Sequence, residues 1–440
     1  MKTFVHLLII FTTAFAWSQD TIRISKSEIL SKVLEQNHEV QISEQDILSS
    51  QADFRQTNAL FLPKIMVSHT GFITTNPLMA FGSKLNQESI RASDFDPAAL
   101  NDPDQTQNVA TKLEFQQPLI NIDGIWMRKA AKSKLNATRL NQQRTLELLH
   151  HEVNRAYMAL MLAEKQIDVL DTNLSFAKAN KKLAQDQFDQ GLIQKADLLL
   201  FEVRLTEITN ELQRSHSALK NASEYMGFLM NDPANALYLA QEELSPDVTA
   251  PAAIPGLSVN RSDLLAMNEV TKAYAHANKA NNLNFLPNIN AFGSYEMYDQ
   301  NFLQGNANGY LVGIGLNWTL LDGAKRFSKA KKSKAEYEKA QTEYNQYKYK
   351  SELELNQAWR NFQNAANNLD LTRLADEHAQ EVLKIRTNRF KEGLERSSDL
   401  LMAEALASNK KLEFFNAIYE YNLSISLLNF LSQNQGHETP

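Results

Sequence analysis

One stretch of this chain occurs twice, and its spacing limits what the rest can be. Phe188-Asp-Gln-Gly191-Leu-Ile-Gln-Lys-Ala-Asp197-Leu-Leu returns as Phe390-Lys-Glu-Gly393-Leu-Glu-Arg-Ser-Ser-Asp399-Leu-Leu. Each Gly stands where a helix stops, because glycine takes a left-handed C-cap at no steric cost. Each Asp falls in the first turn of the next helix, where a carboxylate faces the positive end of the dipole. One copy alone is ordinary helix punctuation. Two copies with matched flanks predict a duplicated pair of long antiparallel helices, each pair joined by a tight turn. The period is too long for a solenoid repeat.

The flanks agree. From Leu146 apolar residues step by three and four through Leu149, Val153, Ala156, Leu160, Ala163, Ile167, Leu170, Leu174 and Ala177 to Ala184 and Phe188, with Lys181 as the interruption. Beyond the turn the rhythm continues through Leu198, Phe201, Leu205, Ile208, Leu212, Ser215, Leu219, Ala222, Met226 and Leu229. These are the a/d seams of an antiparallel coiled coil. The second half is rougher, with Leu355, Ala358, Phe362, Ala365, Leu369, Leu383 and Phe390 among many Tyr, Asn and Gln. That composition suits a second face meeting a partner or water.

Ahead of each helical pair lies a strand pattern. A helical run from Ser25 ends at Phe61-Leu62-Pro63, and Phe285-Leu286-Pro287 repeats the device; proline forbids helix continuation. Strands are expected at about 63–74 and 108–120, and again at about 287–298 and 309–321. Val109, Thr111, Leu113 and Phe115 alternate with Ala110, Lys112, Glu114 and Gln116, and Val312, Ile314, Leu316 and Trp318 alternate with Leu311, Gly313, Gly315 and Asn317. Such alternation fits a barrel strand between lipid and a wet lumen, and a half-buried soluble sheet equally. Phe72, Trp126, Tyr295, Tyr298, Tyr310 and Trp318 near the strand ends favour membrane girdles. A long polar loop at 75–108 and a short one at 299–309 are the unequal loops of an outer-membrane barrel. Asp123-Gly124 and Asp322-Gly323 then open the long helices.

Met1-Lys2, an apolar run from Phe4 to Trp17 and Ala16-Trp17-Ser18 read as a signal peptide over 1–18. The net charge is −6, and −7 once Lys2 is removed, so nucleic acid is not an expected partner. There is no cysteine, hence no disulfide and no lipid-modified Cys. The later chain has no run of about 18 apolar residues, so entry into a membrane requires β-strands. His150 and His151 are adjacent and point to different helix faces, whereas a metal pair needs i,i+4 spacing. No phosphate loop or Ser-His-Asp set occurs either, so neither an enzyme nor a cofactor is expected. The basic clusters Arg128, Lys129, Lys132, Lys134 and Lys325, Arg326, Lys329, Lys331, Lys332, Lys334 suit a solvated face or snorkelling contact with anionic head groups.

Lengths decide how the pieces assemble. Helices over 124–190 and 323–390 would each span roughly 100 Å, and the helices after the turns and before the prolines about 45–55 Å. Two short helices end to end match one long one, which predicts a helical tube with a sheet at one end. Four strands cannot close a transmembrane barrel, and an open edge is forbidden in lipid. A dimer would give a filled eight-stranded barrel; a trimer gives twelve strands and room for a channel. The other reading is an exported coiled-coil scaffold with a soluble sheet.

Phe-Leu-Pro before each first strand, Pro118-Leu119 and Leu320-Leu321 before Asp-Gly, and the doubled Gly-x-x-x-x-x-Asp turn resemble the TolC family of outer-membrane efflux proteins over nearly the whole mature sequence. The resemblance implies an α+β membrane protein with two repeats, 19–230 and 258–440, joined by an equatorial linker at 231–257. It implies a homotrimer with a twelve-stranded barrel in the Gram-negative outer membrane and an α-helical periplasmic tunnel. The tip of that tunnel opens when a periplasmic adaptor and an inner-membrane pump dock, in tripartite efflux or type I secretion. Asp197 matches the family aspartate that locks the tip through a tyrosine and an arginine, positions held here by Phe390 and Glu395. Of the two constriction aspartates, Asp399 is present and the other is Met402. The expected tip gate is therefore Asp197, Asp399, Phe188 and Phe390, with turns at Gly191 and Gly393 and apolar packing of the two phenylalanines closing it.

Overall fold

The computed structural model describes residues 21–232, 236–249, 251–302 and 305–433; the expected signal peptide lies outside them. In chain order the elements are β1 (Thr21–Ile24), α1 (Lys26–Gln36), α2 (His38–Gln56), β2 (Lys64–Thr74), α3 (Pro77–Asn86), α4 (Pro97–Asn101), β3 (Thr106–Ile120), α5 (Ile122–Asp189) and α6 (Lys195–Met230). They continue with β4 (Leu237–Ala240), α7 (Ser262–Leu283), β5 (Asn288–Asp299), β6 (Ala307–Asn317), α8 (Lys325–Lys391) and α9 (Ser397–Ser432). Two compact units result. One comprises residues up to Ser43, Gln142–Arg261 and Tyr349 onward; the other comprises Glu44–Asn141 and Ser262–Lys348. Each unit draws on both halves of the sequence.

The second unit holds a four-stranded antiparallel sheet ordered β2-β3-β5-β6. Val67 pairs with Leu113, Leu113 with Tyr295, and Tyr295 with Tyr310, so the alternation puts them on one face. Phe115 and Val312 share it through their pairing with Gly293, and Val67, Leu113, Val312 and Ile314 are all solvent-exposed. The opposite face carries Lys112, whose Nζ lies 2.7 Å from Glu114 and 3.2 Å from Glu296. The Tyr298 hydroxyl donates to Glu296 there. β2 and β6 are the two open edges.

β6 stops at Asn317 rather than running on to 321. Its last partner is Asn288, and the preceding Pro287 has no N–H with which to extend the ladder. Trp318 instead donates Nε1 to Phe285 O at 3.0 Å, and the chain turns through Gly323 and Ala324, both at positive φ. The polar loop expected at 75–108 is also partly folded, containing α3, α4 and a 3-10 turn at Ala92–Phe95. Asn76 caps α3 by accepting from Met79 N at 3.1 Å, and Pro77 opens it.

In the first unit the coiled-coil seam is buried as its spacing requires. Leu149, Val153, Leu160, Leu170, Ala177 and Ala184 of α5 are buried, as are Leu198, Phe201, Ile208, Met226 and Leu229 of α6; Leu149, Val153 and Leu160 cluster with Met226 and Leu229, and Ala184 with Leu198 and Phe201. Lys181, which interrupts the seam, reaches Glu202 at 3.0 Å. β1 pairs in parallel with β4, inside the segment expected to be an irregular linker. Ile24 and Tyr238 of these strands are buried with Val153, Tyr157, Leu160 and Met226 in one cluster. The Tyr157 hydroxyl donates to Ile24 O at 3.1 Å and accepts from Gln241 N at 3.0 Å.

The helix expected from Ser25 to Phe61 is broken at Asn37, whose ψ of 138° is extended. Its Nδ2 donates to Leu229 O at 2.7 Å, and its Oδ1 accepts from Glu39 N at 2.8 Å. One side chain thus ends α1, starts α2 and ties both to α6. A second cluster joins Leu355, Ala358 and Phe362 of α8 to Ile425, Leu428 and Leu431 of α9. Beside it Arg261, 1% exposed, donates to Leu431 O at 3.1 Å and to Ser351 Oγ at 2.7 Å.

Candidate functional site

The two repeated turns are built alike. Gly191 and Gly393 have φ of +73° and +69°. Gly191 N donates to Phe188 O at 2.8 Å and Leu192 N to Gln187 O at 2.9 Å; Gly393 N donates to Phe390 O at 3.0 Å and Leu394 N to Arg389 O at 2.9 Å. This is the Schellman arrangement, which satisfies carbonyls the helix end would leave unpaired. Leu192 and Leu394, the residues after each glycine, are exposed.

Behind the turns, Phe390, Phe201, Leu198, Leu400 and Ala184 form one buried cluster, with Phe188 half-buried against it. The Phe201 and Phe390 ring centroids are 5.8 Å apart. The two sequence-predicted phenylalanines therefore share a core that joins the first hairpin to the second within a single chain. Asp197 Oδ2 accepts from Gln194 N at 3.2 Å, so this carboxylate caps α6.

Glu395 occupies a site that spacing did not reveal. Its carboxylate is held by Arg386, and by Arg389 Nε at 2.9 Å, both on its own hairpin. Burial pushes the Glu395 carboxyl up, and the hydrogen bonds and charge of Arg386 and then Arg389 outweigh it, leaving it below the ordinary value. Arg386 also stands 3.8 Å from Asp399 Oδ2. Met402 is 69% exposed.

A deeper polar contact bridges the hairpins. Glu404 of α9, 1% exposed, accepts from Asn180 Nδ2 of α5 at 3.2 Å and faces Arg204 Nε of α6 at 3.6 Å. The facing Oε1 and Nε atoms are buried without a hydrogen bond. Burial pushes the Glu404 carboxyl up, against the opposing charge of Arg204. A glutamate whose folded pKa is raised contributes stability that is present below its unfolded value and lost as pH rises through the folded one. The melting temperature of detergent-extracted protein should therefore carry a component that falls as pH rises above the ordinary carboxyl range. Glu404→Gln, which resembles the protonated form, should lack that fall; an unchanged slope in the variant would remove Glu404 as its source. For Glu395 the sign is opposite, with stability lost as pH drops below the ordinary carboxyl range.

The basic clusters divide. Arg128 donates to Thr57 Oγ1 and Asn58 Oδ1, both at 2.7 Å, and lies over the Phe54 ring. Arg326 donates to Asn284 O at 3.2 Å and to Thr319 O, and sits over Phe285. These two arginines, expected on a solvated face or in contact with anionic head groups, also make hydrogen bonds within the chain. Each brackets the start of a long helix to the segment ahead of a Phe-Leu-Pro, where backbone carbonyls and side-chain oxygens need donors. Lys129, Lys132, Lys325 and Lys329 remain exposed. His151 hydrogen-bonds Ser426 Oγ at 3.0 Å and stacks on Phe430, and His150 contacts Asn154, so neither histidine is placed as half of a metal pair.

A profile described as "Outer membrane efflux protein" matches residues 29–225 and 254–429. No curated protein matches the chain. Among solved structures, the CmeC outer membrane channel of Campylobacter jejuni matches at a TM-score of 0.80 and 15% identity, over 97% of this chain and 92% of that one. VceC, an outer membrane protein of Vibrio cholerae, matches at 0.77 and 17% identity, over 92% and 96%. The open state of the MtrE outer membrane channel of Neisseria gonorrhoeae matches at 0.73 and 13% identity, over 92% and 88%. At these identities the likeness is one of fold.

Proposed function

Because the chain belongs to the outer membrane efflux protein family, we propose that it works as a homotrimeric channel in the outer membrane. The observation that carries this is the sheet: one face apolar and exposed, the other holding the Lys112–Glu114–Glu296 network, and two edges without partners. An unpaired edge in hydrocarbon costs several kcal/mol per polar group, so β6 of one chain pairs with β2 of the next. Three copies close twelve strands around a polar lumen. A soluble scaffold has no use for so wide an exposed apolar face.

On this reading the helices form a periplasmic conduit, and the turns at Gly191 and Gly393 face an adaptor coupled to an inner-membrane pump. Lys129, Lys132, Lys325 and Lys329 meet anionic head groups at the membrane boundary. Closure of the tip rests on the Phe201–Phe390 cluster and the Glu395 clamp, where a hydrogen-bonded lock to Asp197 has no donor. Asp399, three copies around the axis, gives the mouth a carboxylate ring partly offset by Arg386.

Purified protein should be trimeric and give low, fluctuating conductance in a planar bilayer. Asp399→Asn should move the reversal potential under a salt gradient toward lower cation preference, and Asp197→Asn less so, because Asp197 serves as a cap. A stable monomer in water without detergent would end the channel reading. Valine at both Gly191 and Gly393 forces a Cβ into left-handed backbone at about 1–2 kcal/mol each. That double variant should reach the outer membrane as trimer yet fail in export; export at the wild-type rate would show that docking lies elsewhere.

A further inference from the structure

The segment between β2 and β3 is more than a connection. It leaves the strand ends opposite those that lead into α5 and α8, and it folds back over them. Ala80 and Ser83 of α3 are buried, and so are Thr106, Asn108 and Ala307 at the ends of β3 and β6. Gln87 makes the join: its Nε2 donates to Gln107 O at 2.9 Å, Asn108 Oδ1 at 2.8 Å and Asp299 O at 3.3 Å. Alternation along β3 puts Thr106 and Asn108 on the face of Lys112 and Glu114. Ala307 pairs with Tyr298, which hydrogen-bonds Glu296 on that same face. The polar face is therefore the one α3 covers.

The rest of the segment is braced rather than loose. Lys84 Nζ lies 2.9 Å from Asp94, Asp94 also accepts from Arg91 N at 2.7 Å, and Phe81 meets Phe95 edge-on with centroids 5.7 Å apart. Leu78, Met79 and Leu85 of α3 stay exposed, giving the free side of the segment an apolar rim. We infer that residues 75–105 form a folded lid that narrows the outer mouth of the pore and screens solutes there by size. This rests on the channel reading, in which the polar face lines the lumen. Three lids, one per chain, then stand over the barrel opening, each held to the wall by Gln87.

The chain has no cysteine, so single cysteines report cleanly. Gln116→Cys lies on the polar face and Phe115→Cys on the apolar face, both far from the lid along β3. Intact cells expressing the trimer are treated from outside with a small charged methanethiosulfonate or with a maleimide on a long polyethylene glycol chain, which does not cross the outer membrane. With the lid in place, Gln116→Cys should react with the small reagent and resist the polymer. Replacing 77–101 by a short Gly-Ser linker should admit both. Gln87→Ala should speed polymer labelling roughly tenfold, the factor that corresponds to about 1.4 kcal/mol. Equal polymer rates with and without the lid would overturn the inference while leaving the channel intact. If Phe115→Cys reacts with the charged reagent and Gln116→Cys does not, the faces are reversed and the channel reading itself fails.

Discussion

Leu113→Arg is expected to abolish assembly in the outer membrane. Leu113 sits in the second of four strands between Val67 and Tyr295, on the face that has no cover within the chain. Arginine on the lipid face near the bilayer midplane costs about 2–4 kcal/mol, so three symmetry-related copies cost roughly 6–12 kcal/mol. A domain's whole stability is only about 5–15 kcal/mol. Ser294→Arg provides the contrast, because position 294 pairs with Glu114 on the polar face, where a guanidinium meets carboxylates and water. The yield of folded trimer recovered from outer membranes measures both. Wild-type yield from Leu113→Arg would show that this face does not meet lipid.

The second large effect is expected at Arg261. Its guanidinium is buried and donates to the Leu431 carbonyl, in the last turn of α9, and to the Ser351 hydroxyl of α8. Carbonyls in a last helical turn have no partner within the helix. Arg261→Met keeps much of the volume but strips both acceptors of a donor, at about 1–3 kcal/mol for each buried group left unsatisfied. A loss of roughly 2–6 kcal/mol should appear as a much lower melting temperature. Arg155→Met, which removes a largely exposed contact with Glu152, should change stability by no more than about 1 kcal/mol. Equal melting temperatures for the two variants would mean that the α8–α9 junction is held by its apolar cluster alone.

What could be read from the sequence was whatever depends on near neighbours. The Gly191 and Gly393 turns need only a glycine at a helix end, and the α5 and α6 seams need only their three-four rhythm. The two-faced strands needed only alternation at Val109–Gln116 and 310–318. The misses share another cause. Asn37 breaks a helix because its amide reaches Leu229 O, 192 positions away, which no local pattern records. Arg128 and Arg326 carry the same charge as their lysine neighbours and differ in having bidentate geometry suited to paired oxygen acceptors. Glu404 and Arg204 are 200 residues apart in sequence and meet across two hairpins. The helix α3 was locally legible: Asn76-Pro77 is a cap followed by a first-turn proline, a signal outweighed by the polarity of the surrounding loop.

Around the repeated turns, the two repeats proved to be partners. Phe390 packs on Phe201 and close to Phe188, and the carboxylate where the family has an arginine is answered by Arg386 and Arg389 of its own hairpin. Spacing along the chain does not say which neighbours such residues find, because Phe201 and Phe390 stand on different hairpins.

The pairing of β1 with β4 also sets an order of events in folding. It joins Thr21–Ile24 to Leu237–Ala240 in parallel, so β1 has no strand to pair with until a segment 216 positions further along the chain is in place. Closing so long a loop is entropically costly and slow, which favours local hairpins over this contact early on. Until β4 docks, Ile24 has no neighbour strand and the Tyr157 hydroxyl lacks the amides of Gln241 and Glu242. The four-residue clip therefore closes late, tying the segment ahead of α1 to the segment after α6 only once the helices between them have formed.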